Sequence, residues 1–199
     1  MTASPIRLLI VGAPGAGKGT QATGLAEAFG VPAISTGDIF RANIKNGTPL
    51  GKQVQEITAQ GRLVPDSLTN ELIRDRLAQA DVEPGFLLDG YPRTVGQVEF
   101  LTGLLAEQGA KIDAVVQLVT DTDAVVERLL KRAQEQGRID DTEEVIRHRQ
   151  DVYATETAPV VEIYGERGAL VEVDGMGSIE DVARRILEAL AAKGFAPRN

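Results

Sequence analysis

Residues 6–20 read IRLLIVGAPGAGKGT, and the fold turns on how this stretch is read. Ile6, Leu8, Leu9, Ile10 and Val11 form a short apolar run of the kind that becomes a buried strand, and glycine-rich sequence ends it. Lys18, Gly19 and Thr20 follow, and the next ten residues, QATGLAEAFG, carry apolar side chains at helical spacing. Strand, glycine loop and helix in this order make a phosphate cradle. Glycines let successive backbone N–H groups face an anion, a helix beginning near Gly17 points its positive end there, and Lys18 adds a mobile charge. The pattern G-x-x-x-x-G-K-[ST] is met with one departure, Gly19 inserted before Thr20. The alternative is a strand-to-helix turn with no ligand.

Outward from this loop the chain keeps alternating. Four further apolar runs predict strands at Pro32 to Ile34, Phe86 to Asp89, Val115 to Val119 and Leu170 to Val173. Amphipathic segments predict helices near 36–46, 49–60, 66–80, 95–108, 121–136, 142–165 and 178–193, with Thr36, Asp66, Asp121 and Ser178 near their starts. Strands alternating with helices give an α/β fold, a five-stranded parallel sheet with helices on both faces. Ligands of such sheets gather beyond the carboxyl ends of the strands, where the glycine loop, Asp89 and Asp174 all fall. Gly61 and Gly137 mark either joints of mobile segments or ordinary helix ends.

Composition narrows the functions. A chain of 199 residues with 43% hydrophobic content suits one domain with a real core. The sequence contains no cysteine, which removes disulfides and thiolate metal sites and suits a reducing cytoplasm. No apolar run approaches a membrane span, and MTASPIRLLIVG flows into the first strand rather than reading as a secretory leader. A net charge of −8 argues against nucleic acid as the main partner. One anionic pocket remains compatible with it.

The second informative run is FLLDGYPRT, residues 86–94, where a strand delivers Asp89 and then Gly90, Tyr91, Pro92 and Arg93. A carboxylate at a strand end beside a phosphate loop suits Mg²⁺, held directly or through its waters; the alternative is a helix cap. Asp89 is followed by Gly90 rather than by an acid or glutamine that would orient water, which favours transfer over hydrolysis. No N-K-x-D run, the guanine-reading element, occurs. Arg41, Arg93, Arg128, Arg132, Arg138 and Arg149 stand on separate segments that an α/β fold can bring to one cleft, where guanidinium forks suit facing polyphosphates. For each arginine taken singly, a solvated helix face is the alternative.

In combination these motifs resemble the adenylate kinases of the short-lid type, over nearly the whole chain. GAPGAGKGT is similar to that family's ATP phosphate loop, ISTGDIFR (34–41), GRLVPD (61–66) and DGYPRT to its AMP-site segments, and RLLKR, GRIDD and RHR (147–149) to its lid and flanks. The resemblance implies Mg²⁺-dependent, reversible phosphoryl transfer from ATP to AMP giving two ADP. It places Gly15, Ala16, Gly17, Lys18, Gly19, Thr20, Arg128, Arg132 and, through its backbone in the VDGMGS turn, Gly177 on ATP. It places Thr36, Arg41, Arg62, Leu63, Val64, Gly90, Tyr91, Pro92, Arg93 and Gln97 on AMP, with Arg138 and Arg149 on the phosphates between the nucleotides. Lys18, Asp89, Arg93, Arg132, Arg138 and Arg149 form the implied catalytic set. The implied fold is a P-loop three-layer domain with an NMP-binding segment at 35–64 and a short lid at 131–141. The resemblance also implies a monomer.

Such a reaction needs alignment and charge stabilisation rather than a side-chain nucleophile, and closure of both segments would keep water from ATP. His148 between Arg147 and Arg149 reads as a surface residue. EDVARRILEALAAKG (180–194) reads as a helix packed on the sheet rather than on a membrane. Asp140 and Asp141 either hold lid arginines or cap the next helix. A zinc-bearing lid is excluded by the missing cysteines. Tyr91 and Phe40 stand where the family often has other apolar residues. Two rivals are a UMP/CMP kinase, a family that tends to have alanine at Thr36 and asparagine near Gln97, and a nucleotide-sensing module without chemistry.

Overall fold

A computed structural model of the chain describes residues 4–136 and 142–198. Five parallel strands, β1 (Ile6–Gly12), β2 (Ala33–Ser35), β3 (Gly85–Asp89), β4 (Ala114–Val119) and β5 (Leu170–Asp174), lie in the order β2-β3-β1-β4-β5. Alternate residues of each strand feed two cores, as the pleat requires. Leu8, Ile10, Leu87, Val116 and Val171 enter one, and Leu9, Val11, Leu88 and Val115 enter the other. Both faces are covered, which is why the strands read as continuous apolar runs rather than as alternation.

Helices α1 (Lys18–Phe29) and α9 (Ile179–Ala192) close the first core with Leu25, Phe29, Val182, Ile186 and Leu190. Helices α4 (Asp66–Leu77), α5 (Val95–Ala106) and α8 (Ala158–Glu166) close the second with Ile73, Leu101 and Val160. The three-layer arrangement predicted from the sequence is therefore present, and α9 packs on the sheet. Among the described residues, no helix is long and apolar enough to cross a membrane.

Two small cores stand apart from the sheet. Helices α2 (Thr36–Lys45) and α3 (Pro49–Ala59) bury Phe40, Val54 and Val64 between them. Gly51 makes their approach possible, since a β-carbon there would lie 2.1 Å from the Asn43 carbonyl oxygen. Helices α6 (Thr122–Gln136) and α7 (Glu143–Val152) share Val125, Leu129 and Ile146.

Thr36 and Asp66 stand at the starts of α2 and α4 as expected, and the Ser35 hydroxyl caps α2 by accepting from the Asp38 N–H at 3.2 Å. Two local expectations shift. The helix expected over 66–80 ends at Leu77. The helix expected over 142–165 is broken by a π-turn, Tyr153–Thr157, between α7 and α8. Pro159 lacks the N–H that would bond back one turn, and the Thr157 hydroxyl is drawn to the Arg93 carbonyl at 2.9 Å.

Candidate active site

The site lies beyond the carboxyl ends of β1 and β3, in two adjoining cavities of about 480 and 290 Å³. The phosphate loop floors the larger. Gly17 caps α1 in the left-handed conformation, φ 89°, and no side chain occupies the cap. The first-turn N–H groups of α1 thus open onto the cleft, a ready anion site. Lys18 Nζ donates to the carbonyls of Gly12 at 2.9 Å and Ala13 at 3.1 Å. The loop is braced from across the cleft by Gln150 on α7, whose Nε2 donates to the Pro14 carbonyl at 3.0 Å.

Charge accumulates here in one sign. Burial lowers the pKa of Lys18 to about 8; Asp89 opposes that shift, and Arg93, Arg149 and Arg132 add to it. Arg93 is likewise pushed down, first by burial, with Arg149 and Arg41 contributing and Asp89 opposing. The Asp89 carboxyl is raised by burial against the pull of Lys18 and Arg93. Like charges held together at a cost, with one buried carboxylate among them, describe a site shaped for a polyanion.

Arg93 is fixed at both ends. Its Nε donates to the Gly90 carbonyl at 2.9 Å, its backbone N–H donates to Gln97 Oε1 at 2.7 Å, and its carbonyl accepts from Thr157. The Gly90 carbonyl also accepts from the Thr36 hydroxyl at 2.9 Å, joining α2 to the same turn. A second network surrounds Gln97, which is 2% exposed. Its Nε2 donates to Asp66 Oδ1 at 2.9 Å, and the Tyr91 hydroxyl, donating toward Asn70 Oδ1 at 2.7 Å, also lies 3.3 Å from the Gln97 carbonyl.

Most sequence-predicted residues meet in this region. Gly15, Gly17, Lys18, Gly19, Thr20, Asp89, Tyr91, Pro92, Arg128 and Arg132 line the larger cleft. Thr36, Arg62, Val64 and Gln97 line the smaller, and Arg41, Leu63, Gly90, Arg93 and Arg149 border both. Ala16 is buried beneath the loop in the first core, its N–H donating to the Ala13 carbonyl. Gly177 borders neither cavity; Arg185 holds its turn by donating to the carbonyls of Asp174 and Met176. Arg138, Asp140 and Asp141 lie outside the described residues, as does Gly137. His148 is exposed on α7. Sequence reading missed Gln150, Thr157 and the role of Asp66, because each reaches the site through a partner far away in the chain, and Tyr153, which lines the larger cleft from the π-turn.

Fold and site together define a P-loop nucleotide-binding domain with room for two ligands around one cationic centre. The adenylate kinase family model matches residues 10–169. Relatives named adenylate kinase include those of Leifsonia xyli subsp. xyli, 61% identical over 190 residues (96% of this chain and of the relative), and Kocuria rhizophila, 62% identical over 184 residues (92% and 98%). That of Clavibacter michiganensis is 59% identical over 193 residues, 97% of this chain and 96% of the relative. The chain belongs to the adenylate kinase family.

Proposed function

We propose that the chain transfers the terminal phosphoryl group of ATP to AMP, reversibly, giving two ADP, and so balances adenine nucleotides. The observation that carries this reading is the single cationic centre of Lys18, Arg93, Arg132 and Arg149 placed where two ligand-sized cavities adjoin. A UMP/CMP kinase is not favoured: the relatives are adenylate kinases, and Thr36 and Gln97 both line the smaller cavity.

In this reading ATP lies with its phosphates on Gly15 to Thr20 and AMP lies in the smaller cavity. The AMP oxygen attacks in line, the β–γ bridging oxygen leaves with its electron pair, and the protein supplies positive charge where negative charge spreads. Lys18 exchanges its two carbonyl partners for phosphate oxygens. Arg93, Arg149, Arg132 and, by resemblance, Arg138 clamp the transferring group, and Arg128 and the Gly177 backbone serve ATP. Ala16 contributes to the loop's shape rather than a contact of its side chain.

Mg²⁺ fits this site as an ion carried by the substrate. Asp89 Oδ2 lies 3.7 Å from where a β-carbon on Gly19 would stand, and no group of three or more potential metal ligands occurs among the described residues. An ion that keeps most of its waters and phosphate ligands needs little more than one such carboxylate. Bound there, Mg²⁺ would supply neutralisation of the β- and γ-phosphates.

Two small cores, one of α2 and α3 with Leu68 and Leu72 of α4 and one between α6 and α7, lie beside the two segments we expect to move, an NMP-binding segment at 35–64 and a lid at 131–141. We read the protein as a cytoplasmic monomer without nucleic-acid or membrane partners. A coupled assay of ADP formation from ATP with AMP, UMP, CMP or GMP tests the function. AMP is expected to be turned over fastest. Equal turnover with UMP would overturn adenine specificity, and no turnover by folded, ATP-binding protein would leave the sensing module.

A further inference from the structure

We propose that Asp66 is a specificity-determining positioning residue: it fixes which way round the Gln97 amide faces and thereby which purine edge the acceptor cavity accepts. The proposal rests on the reading that Gln97 meets the acceptor base.

A glutamine amide is ambiguous by shape, because exchanging oxygen and nitrogen leaves its outline unchanged. The neighbours of Gln97 remove that ambiguity. On one side stands the Arg93 backbone N–H, which can only donate, 2.7 Å from Oε1. On the other stands the Asp66 carboxylate, an acceptor, 2.9 Å from Nε2. Turning the amide over would set Oε1 against a carboxylate and an NH₂ group against an N–H, two repulsive contacts in a buried place.

Asp66 is itself held. Its oxygens accept from the Thr94 hydroxyl at 3.0 and 2.9 Å, and Thr94 Oγ1 in turn accepts from the Gln97 N–H at 3.2 Å. It stands at the start of α4, where a negative charge is favoured by the helix dipole. Glycine at 96 leaves it room, since a β-carbon there would lie 2.8 Å from Asp66 Oδ2.

After these two bonds the amide retains one lone pair on Oε1 and one N–H on Nε2 for the cavity. An acceptor beside a donor complements adenine, which offers an exocyclic N–H beside the bare ring nitrogen N1. Hypoxanthine offers the reverse, a carbonyl beside an N1–H, and complements only the turned-over amide. Asp66→Asn keeps the size of the side chain but presents a donor as well as an acceptor, so the stronger of the two repulsions, that with the carboxylate, is removed and only the Arg93 N–H still opposes the turned-over amide.

The experiment compares kcat/KM for AMP and inosine monophosphate in wild type, Asp66→Asn and Gln97→Ala. The ratio of inosine monophosphate to AMP should rise tenfold or more in Asp66→Asn, with KM for ATP unchanged. An unchanged ratio in that folded variant would overturn the proposal. Gln97→Ala separates the two readings: if it too leaves the ratio unchanged, Gln97 does not read the base; if it alone moves the ratio, the base reading stands and Asp66 has no part in it. Should Asp66→Asn fail to fold, ¹⁵N spectra of the wild type decide. One glutamine side-chain NH₂ pair, absent in Gln97→Ala, should exchange with solvent far more slowly than the others. Free exchange of that pair would overturn the proposal.

Discussion

The cleft over the phosphate loop and the smaller cavity beside Gln97 are built from different materials. The first is backbone: one contiguous segment after β1 supplies N–H groups and the lysine, and its carbonyls at Gly12 and Ala13 hold Lys18 in place. The second is side chains from far-apart segments: Thr36 and Gln97 line it, and hydrogen bonds spanning up to 54 residues of sequence tie them to Gly90, to Asp66 and, behind the cavity, to Tyr91. A backbone cradle recognises phosphate, which every nucleotide carries, whereas a side-chain network can distinguish one base from another. Damage to the first should therefore abolish catalysis, and damage to the second should alter acceptor binding and choice.

The largest effect is expected where the two meet. Lys18→Ala and Arg93→Ala each remove a charge aimed at the transferring group, worth about 2.7 to 4 kcal/mol in a water-poor site and so a hundredfold or more in turnover. Circular dichroism should stay native in both. A wild-type rate in either would remove that residue from the centre and with it the idea that both cavities share one.

The comparison also explains what could be read from the sequence. Glycine spacing and Lys18 announce a backbone cradle because its geometry depends on neighbours in the chain, and the strands announce themselves as apolar runs because both sheet faces are buried. The base-side network leaves no such signature. Asp66 reads as a helix start, yet its carboxylate serves Thr94 and Gln97, 28 and 31 residues away. The π-turn is hidden likewise: apolar periodicity runs through it, while the Thr157 bond to the Arg93 carbonyl spans 64 residues. Arg41, Arg93 and Arg149 were legible as cations, but only folding distinguishes them from the exposed Arg147, which pairs with Glu143 four residues before it.

The next test sets the cradle against the network by pH. In the free enzyme Lys18 titrates at about 8, chiefly because burial disfavours its charge. As pH rises through that value the ammonium that meets phosphate is lost, so kcat/KM for ATP should fall above pH 8, approaching tenfold per unit. Bound polyphosphate restores the charge, so kcat should hold to higher pH, and ATP binding at pH 8.5 should take up protons in calorimetry across buffers of different ionisation enthalpy. With ATP saturating, kcat/KM for AMP should stay level over the same range. A level ATP profile, or an AMP profile that falls with it, would mean the two cavities do not differ in this way.

The smallest effect probes the network alone. Tyr91 is 1% exposed, and its hydroxyl ties Asn70 to the turn that carries Gln97. The tyrosine places a donor at the far end of a ring that packs in the second core. Tyr91→Phe keeps the ring and removes one buried hydrogen bond, about 1 kcal/mol, which for a domain of this size lowers Tm by about 2 to 4 °C. Because α5 carries Gln97 and the lost bond lies behind it, KM for AMP should rise about threefold to fivefold, the same ~1 kcal/mol expressed in acceptor binding. KM for ATP should not move, since the Lys18 cradle shares no hydrogen bond with Tyr91. If KM for ATP rises instead, the network braces the phosphate loop as well, and the division between a backbone-built donor cleft and a side-chain-built acceptor cavity fails at Tyr91.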